Sequence, residues 1–376
     1  MKIGIITWFT GPNLGTSLQA IALQRYLRNA GYEVEVINYE VVSAKRKSIR
    51  LLWQKVLSQP QKYAMTYAQW KYGHMITRRN RKIADAVTKN CILTDRVHDE
   101  AELIKVCNSF DILVCGSDQI WNPNWYHRFY FADYDEIQTR KISYAPSLGV
   151  NAIPDELKAE IERSIKKFDA VSVREEKGAE MLEPYVGSRP VVVVDPTFLL
   201  TTADWGNLFP GKYKKIYTGG YVLSMFLTDK KEHWAAANSF ARKKGLRHVV
   251  IPYSGFSYLQ KGEICADSGP EEFLELIRGA CYVLTDSFHV TVFSIIYRKQ
   301  FYTFRRFREN RFISQNTRIS NLLKMADMEG RLVPYGSNSI FEYSDIEYGQ
   351  HEEKIRVEIQ KSKDFLKKAI EGEITI

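Results

Sequence analysis

A histidine stands at a predicted strand-to-helix junction in the segment TDSFHVTVFS, residues 285–294. The apolar and β-branched residues from Cys281 predict a strand that ends near Asp286, and the apolar run after Ser287 predicts a helix. His289 then lies in the first helical turn, with Ser287 or Asp286 as its cap. A histidine so placed can exchange protons near neutral pH. A core histidine bonded to a backbone carbonyl is the alternative.

Cationic side chains follow two other predicted strands. Arg174 ends the run AVSVR, and a guanidinium there can bind a carboxylate or phosphate with two hydrogen bonds. A salt bridge to Glu175 or Glu176 is the alternative. Arg305 and Arg306 follow the predicted strand FYTF and could reach the same region, although a solvated basic face explains them equally well.

The loop GSDQIWNPNW, residues 116–125, combines a carboxylate, amides and indoles. This combination suits sugar recognition, because sugar hydroxyls need donors and acceptors and the C–H faces of a sugar need a flat apolar partner. A capped turn with a packed tryptophan is the alternative. The candidate sugar-contacting residues are Ser117, Asp118, Gln119, Trp121 and Asn122.

The first predicted strand leads into the turn TWFTGPNLGTSLQA, in which Gly11 and Gly15 bracket a bend. The spacing predicts a helix from Ser17 to Ala30, capped by Thr16 or Ser17 and ended by Gly31. Free N–H groups at such a helix start favour an anion. The pattern is neither a P-loop nor a dinucleotide-binding fingerprint, and an ordinary tight turn explains it equally well.

Short apolar runs alternate with helical patterns along the chain, which predicts parallel sheets covered by helices on both faces. We therefore expect an α/β fold with two Rossmann-like, doubly wound domains facing a cleft. The predicted divisions are an N-terminal domain at 1–203, a linker at 204–218, a C-terminal domain at 219–345, and a helix with tail at 346–376.

The remaining bulk features indicate a cytoplasmic protein. Five cysteines without a C-x-x-C pair predict reduced thiols and no metal site. The opening MKIGIIT reads as a buried strand rather than a secretion signal, and no apolar run is long enough to span a bilayer.

Positive charge is concentrated in residues 41–84, predicted as a helical insertion. This segment has 11 basic and no acidic residues, whereas the rest of the chain has 42 basic and 44 acidic residues. Its aromatic and apolar residues, among them Trp53 and Trp70, make it suitable for an anionic membrane surface at the inner leaflet. A solvated basic face is the alternative, and nucleic acid is not an expected partner.

Six segments in order resemble the polysaccharide pyruvyl transferase family. They are N-x-G-x-x-L-Q-A-x-A-L (13–23), GSDQIWNP (116–123), KISYAPSLG (141–149), SVREEKG (172–178), VVDPTFLL (193–200) and TDSFHVTVFS (285–294). The resemblance implies a GT-B-like fold and transfer of a pyruvyl group from phosphoenolpyruvate to two hydroxyls of one sugar as a cyclic ketal. It implies no cofactor besides this donor substrate.

Roles follow by position from the resemblance. His289 would be the general acid and Arg174 would hold the donor, with Ser287 nearby. Asp118 is a candidate base or sugar-orienting group on chemical grounds. The acceptor, a sugar of a surface polysaccharide or its lipid-diphosphate-linked precursor, would meet Asn13, Gly15 and the 116–122 loop.

The sequence departs from the family pattern at two positions. Characterised relatives often read Arg-x-His where this chain has Ser287-Phe288-His289, so Arg305 or Arg306 would have to replace the absent arginine. Val290 stands where a glycine is usual. Two other functions stay open: a glycosyltransferase with a nucleotide-sugar donor on the same fold, and a non-catalytic relative that binds glycan or membrane.

Overall fold

Two parallel β-sheets organise the chain. The computed structural model describes residues 1–39, 60–211, 219–308, 316–340 and 344–374. The strands are β1 Lys2–Ile6, β2 Glu33–Val36, β3 Ile112–Cys115, β4 Arg140–Ser143, β5 Ser172–Val173, β6 Val191–Val192, β7 Tyr221–Met225, β8 Arg247–Val250, β9 Glu263–Ile264, β10 Tyr282–Thr285, β11 Gln300–Phe304 and β12 Leu332–Val333. The predicted α/β class with parallel sheets is confirmed.

The first sheet has the strand order β2-β1-β3-β4, and the β5-β6 pair continues it through a bridge between Ile142 and Ala170. The second has the order β12-β11-β10-β7-β8-β9. All of these strand pairs are parallel, so the carboxyl ends within each sheet lie along one edge.

Helices cover the sheets. They are α1 Leu14–Asn29, α2 Pro60–Asn90, α3 Glu100–Cys107, α4 Asp155–Ile165, α5 Glu176–Val186, α6 Thr202–Leu208, α7 Lys231–Lys243, α8 Pro270–Gly279, α9 Phe288–Ile296, α10 Asn316–Met325 and α11 Glu352–Glu371. Helix α1 begins three residues earlier than predicted. Its cap is Asn13, whose side-chain oxygen accepts a hydrogen bond from Gly15 N at 3.0 Å, and neither Thr16 nor Ser17.

Apolar packing joins the two sheet units. One buried cluster includes Ile5 of β1, Leu18 of α1, Val283 of β10 and Phe293 of α9. Helix α11 returns to the first unit, where its Ser362 hydroxyl accepts a hydrogen bond from Val194 N at 2.9 Å. These contacts hold the two carboxyl edges against each other.

Parts of the predicted linker and of the predicted helical insertion are helical in the structure. The stretch 204–218, predicted as a linker, begins inside α6, whose Trp205 is fully buried. Helix α2 occupies the later part of the basic insertion and continues to Asn90. Residues 40–59 of the insertion, including Lys45 to Arg50, and residues 212–218 lie outside the described residues.

No described helix is both long and apolar enough to cross a membrane.

Candidate active site

Four chemically active side chains converge where the two units meet. Asp118 follows β3, Arg174 follows β5, Asp195 follows β6, and His289 lies in the first turn of α9. All four are buried, with exposures of 7% or less. Polar groups at the ends of parallel strands mark a ligand site in such sheets.

Asp195 connects Arg174 to His289. Its Oδ2 atom lies 2.6 Å from Arg174 Nη1 and 3.5 Å from His289 Nε2, while Oδ1 accepts hydrogen bonds from the Thr197 backbone and hydroxyl. Burial alone would raise the pKa of Asp195. His289 and Arg174 lower it by more than burial raises it, so the pKa lies well below its usual range. The carboxylate therefore stays ionised beside the imidazole and can stabilise its protonated form.

Asp118 is a second ionised carboxylate on the other side of Arg174. It accepts a hydrogen bond from Thr16 Oγ1 at 2.7 Å and lies 3.4 Å from Arg174 Nη2. Burial raises its pKa, but Arg174 and His289 lower it more, so the net shift is downward. A carboxylate with a lowered pKa is a weak base, which favours an orienting role over proton abstraction.

The His289 imidazole has room only because residue 15 is a glycine. A Cβ atom at position 15 would lie 2.0 Å from His289 Nδ1 and 2.8 Å from His289 Cβ. Any side chain at this position would therefore displace the ring. Gly15 positions the predicted general acid, and its conformation is an ordinary helical one in the first turn of α1.

Phe288 lies beneath a pair of arginines. The guanidinium carbon of Arg174 lies 4.4 Å from the centre of the Phe288 ring, and that of Arg318, in α10, lies 5.9 Å from it. Arg306 donates from Nε to the Asp286 carbonyl at 2.6 Å, so it approaches the same turn from β11. Arg174 and Arg318 also line one cavity of about 210 Å³ together with Phe288 and Asp195.

The family model for polysaccharide pyruvyl transferases matches residues 13–306, and this span includes Asp118, Arg174, Asp195 and His289. The chain belongs to this family. It is a family of transferases, as the resemblance implied. A comparison with curated proteins found no match.

Solved structures resemble this pyruvyl transferase family member at low identity. UDP-GlcNAc 2-epimerase from Methanocaldococcus jannaschii is 12% identical over 96% of this chain and 92% of its own, with a TM-score of 0.50. The UDP-GlcNAc 2-epimerase from Neisseria meningitidis is 11% identical over 98% and 94%, with a TM-score of 0.47. The E. coli heptosyltransferase WaaC is 11% identical over 95% and 100%, with a TM-score of 0.39. At this identity the likeness to the Methanocaldococcus jannaschii enzyme concerns the fold alone.

The three arginines predicted to bind the donor have different surroundings in the structure. Arg174 pairs with Asp195 and Asp118, and neither Glu175 nor Glu176 is its closest partner. Glu175 instead accepts hydrogen bonds from Ser147 and from the Leu148 and Gly149 backbones. Of the pair after β11, Arg306 reaches the turn before α9, whereas the Arg305 backbone continues the sheet by bonding Val333.

The N-terminus of α9, which contains His289, is not capped by a side chain as the sequence predicted. Ser287 is the N-cap residue of α9 by position, but its hydroxyl makes no capping hydrogen bond. The Asp286 carboxylate accepts from Leu227 N at 2.6 Å and from the Thr228 hydroxyl at 2.6 Å, and so fastens the end of β7 to the end of β10.

Most of the predicted acceptor loop points inward. Trp121 is 1% exposed, stacks on Phe131 and donates to the Tyr130 carbonyl. Ser117 donates to the Ala145 carbonyl, and Asn122 is fully buried. The half-buried Gln119 accepts a hydrogen bond from Asn122. In this structure the loop supports Asp118 and offers no exposed indole from Trp121.

A groove of about 550 Å³ opens beside this loop and was not predicted from the sequence. Trp8 and Tyr130 form an aromatic wall, with ring centres 5.9 Å apart. Thr16, the partner of Asp118, and the predicted acceptor residue Asn13 also line the groove. The other lining residues are Thr7, Phe9, Thr10, Asn38, Tyr39 and Arg96. The signal in the sequence is the aromatic pair Trp8–Phe9, which follows β1 after Thr7.

Asp195 and Arg318 were also missed, and each has a recognisable signal. Asp195 directly follows the apolar run VVVV, as a polar group at a strand end should. Arg318 stands four residues before Leu322 and seven before Met325, on the apolar side of α10. A charge on such a stripe is expected to be buried, and buried charges need a partner.

Proposed function

We propose that the protein transfers the pyruvyl group of phosphoenolpyruvate to two hydroxyls of one sugar, in a surface polysaccharide or its lipid-linked precursor, as a cyclic ketal. Family membership supports the reaction class. The assignment of the reaction to this site depends on the contacts of Asp195 with Arg174 and His289. These contacts set an anion-binding guanidinium beside a proton donor that a carboxylate stabilises.

Protonation of the donor is the first step of the proposed mechanism. His289 gives a proton to the C3 methylene of phosphoenolpyruvate, which becomes a methyl group. C2 then becomes electrophilic and is attacked by the first sugar hydroxyl. Arg174 binds an anionic group of the donor, and Asp195 stabilises the imidazolium before transfer.

The second hydroxyl completes the ketal. It attacks C2 as the bond from C2 to the phosphate oxygen breaks, and inorganic phosphate leaves. Of the two hydroxyl protons, one restores the proton on His289 and the other leaves with phosphate. Asp118 orients the acceptor rather than removing these protons, in keeping with its lowered pKa.

The groove beside Asp118 is the proposed acceptor site. Trp8 and Tyr130 offer flat apolar faces for a sugar ring, while Asn13, Thr10 and Asn38 offer hydrogen-bonding groups. Thr16 lines this groove and bonds Asp118, and Asp118 contacts Arg174 of the donor side. The reacting hydroxyls would therefore reach the donor past Asp118.

The side chains of helix α2 support a membrane-surface role for its first half. Trp70 is 81% exposed and Tyr63 is 59% exposed, as an interfacial helix requires. Arg79 donates to the Pro252 carbonyl, and Lys82 pairs with Glu272, so these two predicted basic residues fasten the helix to the second unit. We propose that the first half of α2 and the preceding basic residues contact an anionic leaflet that carries the lipid-linked acceptor.

Calorimetric titration with phosphoenolpyruvate tests the donor assignment, with UDP and GDP as controls. We expect wild type to bind phosphoenolpyruvate and neither nucleotide, and Arg174→Lys to bind it at least 10-fold more weakly, since a single ammonium replaces a bidentate fork. Arg174→Lys is the better variant because Arg174→Ala would leave two buried carboxylates unpaired. His289→Ala should retain binding and lose phosphate release. A nucleotide bound in place of phosphoenolpyruvate would favour the glycosyltransferase alternative.

A further inference from the structure

Two buried guanidiniums face one cavity from different parts of the fold. Arg174 comes from the end of β5, and Arg318 comes from the first turn of α10. They are 6% and 5% exposed, and both lie near the ring of Phe288. Asp195, whose Oδ2 atom lies 3.5 Å from His289 Nε2, also lines this cavity.

Two other guanidiniums act on Arg318. Burial, and then the neighbouring Arg174 and Arg306, lower its pKa to about 9, and each of these cations acts on it more strongly than Glu175 or Asp118. Like charges gathered in a buried place cost free energy unless an anion joins them. An anion bound in the cavity would therefore lessen the repulsion between Arg318 and the other two guanidiniums.

Arg174 shows the complementary pattern. Burial lowers its pKa, but Asp195 and Asp118 raise it more, so that its charge is matched within the protein. Even so, its buried Nε has no hydrogen-bond partner among the residues that the structure describes. A buried donor of this kind is expected to have a partner when the site is in use. The two arginines thus bring a buried donor atom and two positive charges to one aromatic face.

We propose that Arg318 is a donor-binding residue that forms, with Arg174 and over the Phe288 ring, a site for the carboxylate and phosphate of a small planar enol phosphate. The identity of the donor rests on the proposed function, whereas the anion site does not. Arg318 then supplies the second guanidinium that Ser287 cannot provide, from a helix 31 positions farther along the chain.

The test compares dissociation constants for phosphoenolpyruvate and for inorganic phosphate in four proteins: wild type, Arg318→Gln, Arg318→Lys and Arg356→Gln. Arg356 is 73% exposed on α11, so its variant removes the same charge from the surface. Thermal unfolding with and without 10 mM phosphate accompanies each titration, because a bound ligand raises the midpoint. Arg318→Lys retains the charge if Arg318→Gln fails to fold.

We expect Arg318→Gln to weaken both ligands about 10- to 100-fold, the usual effect of losing one charged hydrogen-bond partner. Arg318→Lys should lie between it and wild type, and Arg356→Gln should match wild type. If folded Arg318→Gln binds both ligands as tightly as Arg356→Gln does, the proposal is overturned while the donor assignment stays intact. If only Arg318→Lys folds, the same comparison is made with that variant. Arg318-dependent binding of phosphate without binding of phosphoenolpyruvate would instead overturn the donor assignment and retain the anion site.

Discussion

The imidazole of His289 lies directly against the backbone of Gly15, so that a single added carbon at position 15 would come within 2.0 Å of Nδ1. The two residues belong to different sheet units, one at the start of α1 and the other at the start of α9. The contact therefore fixes both the acid and the approach of the two units.

Gly15→Ala should separate local helix stability from the placement of the acid. Alanine favours a helix interior by about 1 kcal/mol over glycine, so α1 itself should not suffer. The clash with His289 should nevertheless cost about 1–3 kcal/mol in unfolding free energy and lower phosphate release at least 10-fold. Chemical denaturation and a phosphate-release assay measure the two effects.

The double variant Gly15→Ala/His289→Ala provides the control for that clash. Without the imidazole the added methyl has room, so the stability lost in Gly15→Ala should largely return, and the two changes should be strongly non-additive. Additive effects would show that Gly15 acts through something other than its contact with His289.

Asp195→Asn should lower stability in a pH-dependent manner. The pKa of Asp195 is lower in the folded protein than in the unfolded chain, so its ionisation stabilises the fold above the unfolded value of about 4. That contribution is lost as the pH falls through the folded value. We expect a loss of about 3 kcal/mol at pH 7 that shrinks below pH 4.

Asp155→Asn is the matched control, since Asp155 is 92% exposed and pairs with Lys158 at the surface. Its effect should be below about 1 kcal/mol at every pH. Urea denaturation at several pH values distinguishes the two variants, and a constant difference between Asp195→Asn and wild type from pH 7 to pH 3 would contradict the assignment.

Donor affinity should fall in alkaline solution. In the free protein Arg318 has a lowered pKa of about 9, and a bound anion favours the protonated guanidinium. Raising the pH through 9 therefore removes the charge that the donor needs, and binding of phosphoenolpyruvate should weaken between pH 8 and 10.5. Arg318→Gln should bind weakly throughout this range; an equal alkaline decline in that variant would assign the effect to another group.

Trp8 and Trp121 should respond in opposite ways. Trp8→Ala removes one wall of the groove, so the KM for the sugar acceptor should rise about 10-fold or more while affinity for phosphoenolpyruvate and stability stay near wild type. Trp121→Phe removes a buried donor from the Tyr130 carbonyl and should lower stability by about 1–3 kcal/mol, with little effect on the acceptor KM. Phosphate release at varied acceptor concentration separates the two, and the reverse pattern would restore the predicted sugar-binding role of Trp121.

The sequence was enough to predict which residues lie at the strand ends, but not which side chains contact them there. Alternating apolar runs and helical patterns were enough to place Asp118, Arg174 and His289 at the edges of two sheets, because that periodicity depends only on neighbouring residues. The contact between Thr16 and Asp118 spans 102 positions, and the roles of Gly15 and Arg318 arise only when the two units meet. Trp121 was misleading for a related reason: an indole in a polar loop fits a sugar as well as a core, and only the packing of Phe131 and Phe168 decides between them.

Binding to anionic vesicles tests the role of α2. Trp70→Ala removes the most exposed large apolar side chain in the described part of the chain, and it should weaken binding to vesicles rich in phosphatidylserine. Changing Lys45, Arg46, Lys47 and Arg50 together to Glu should abolish that binding, since each cation contributes about 1 kcal/mol near an anionic leaflet. Trp125→Ala is the control, because Trp125 is 50% exposed but lies beside Trp8 at the groove. Flotation with neutral and anionic vesicles measures all of these. Binding that survives both changes would leave α2 as a helix that serves only to fasten the two units together through Arg79 and Lys82.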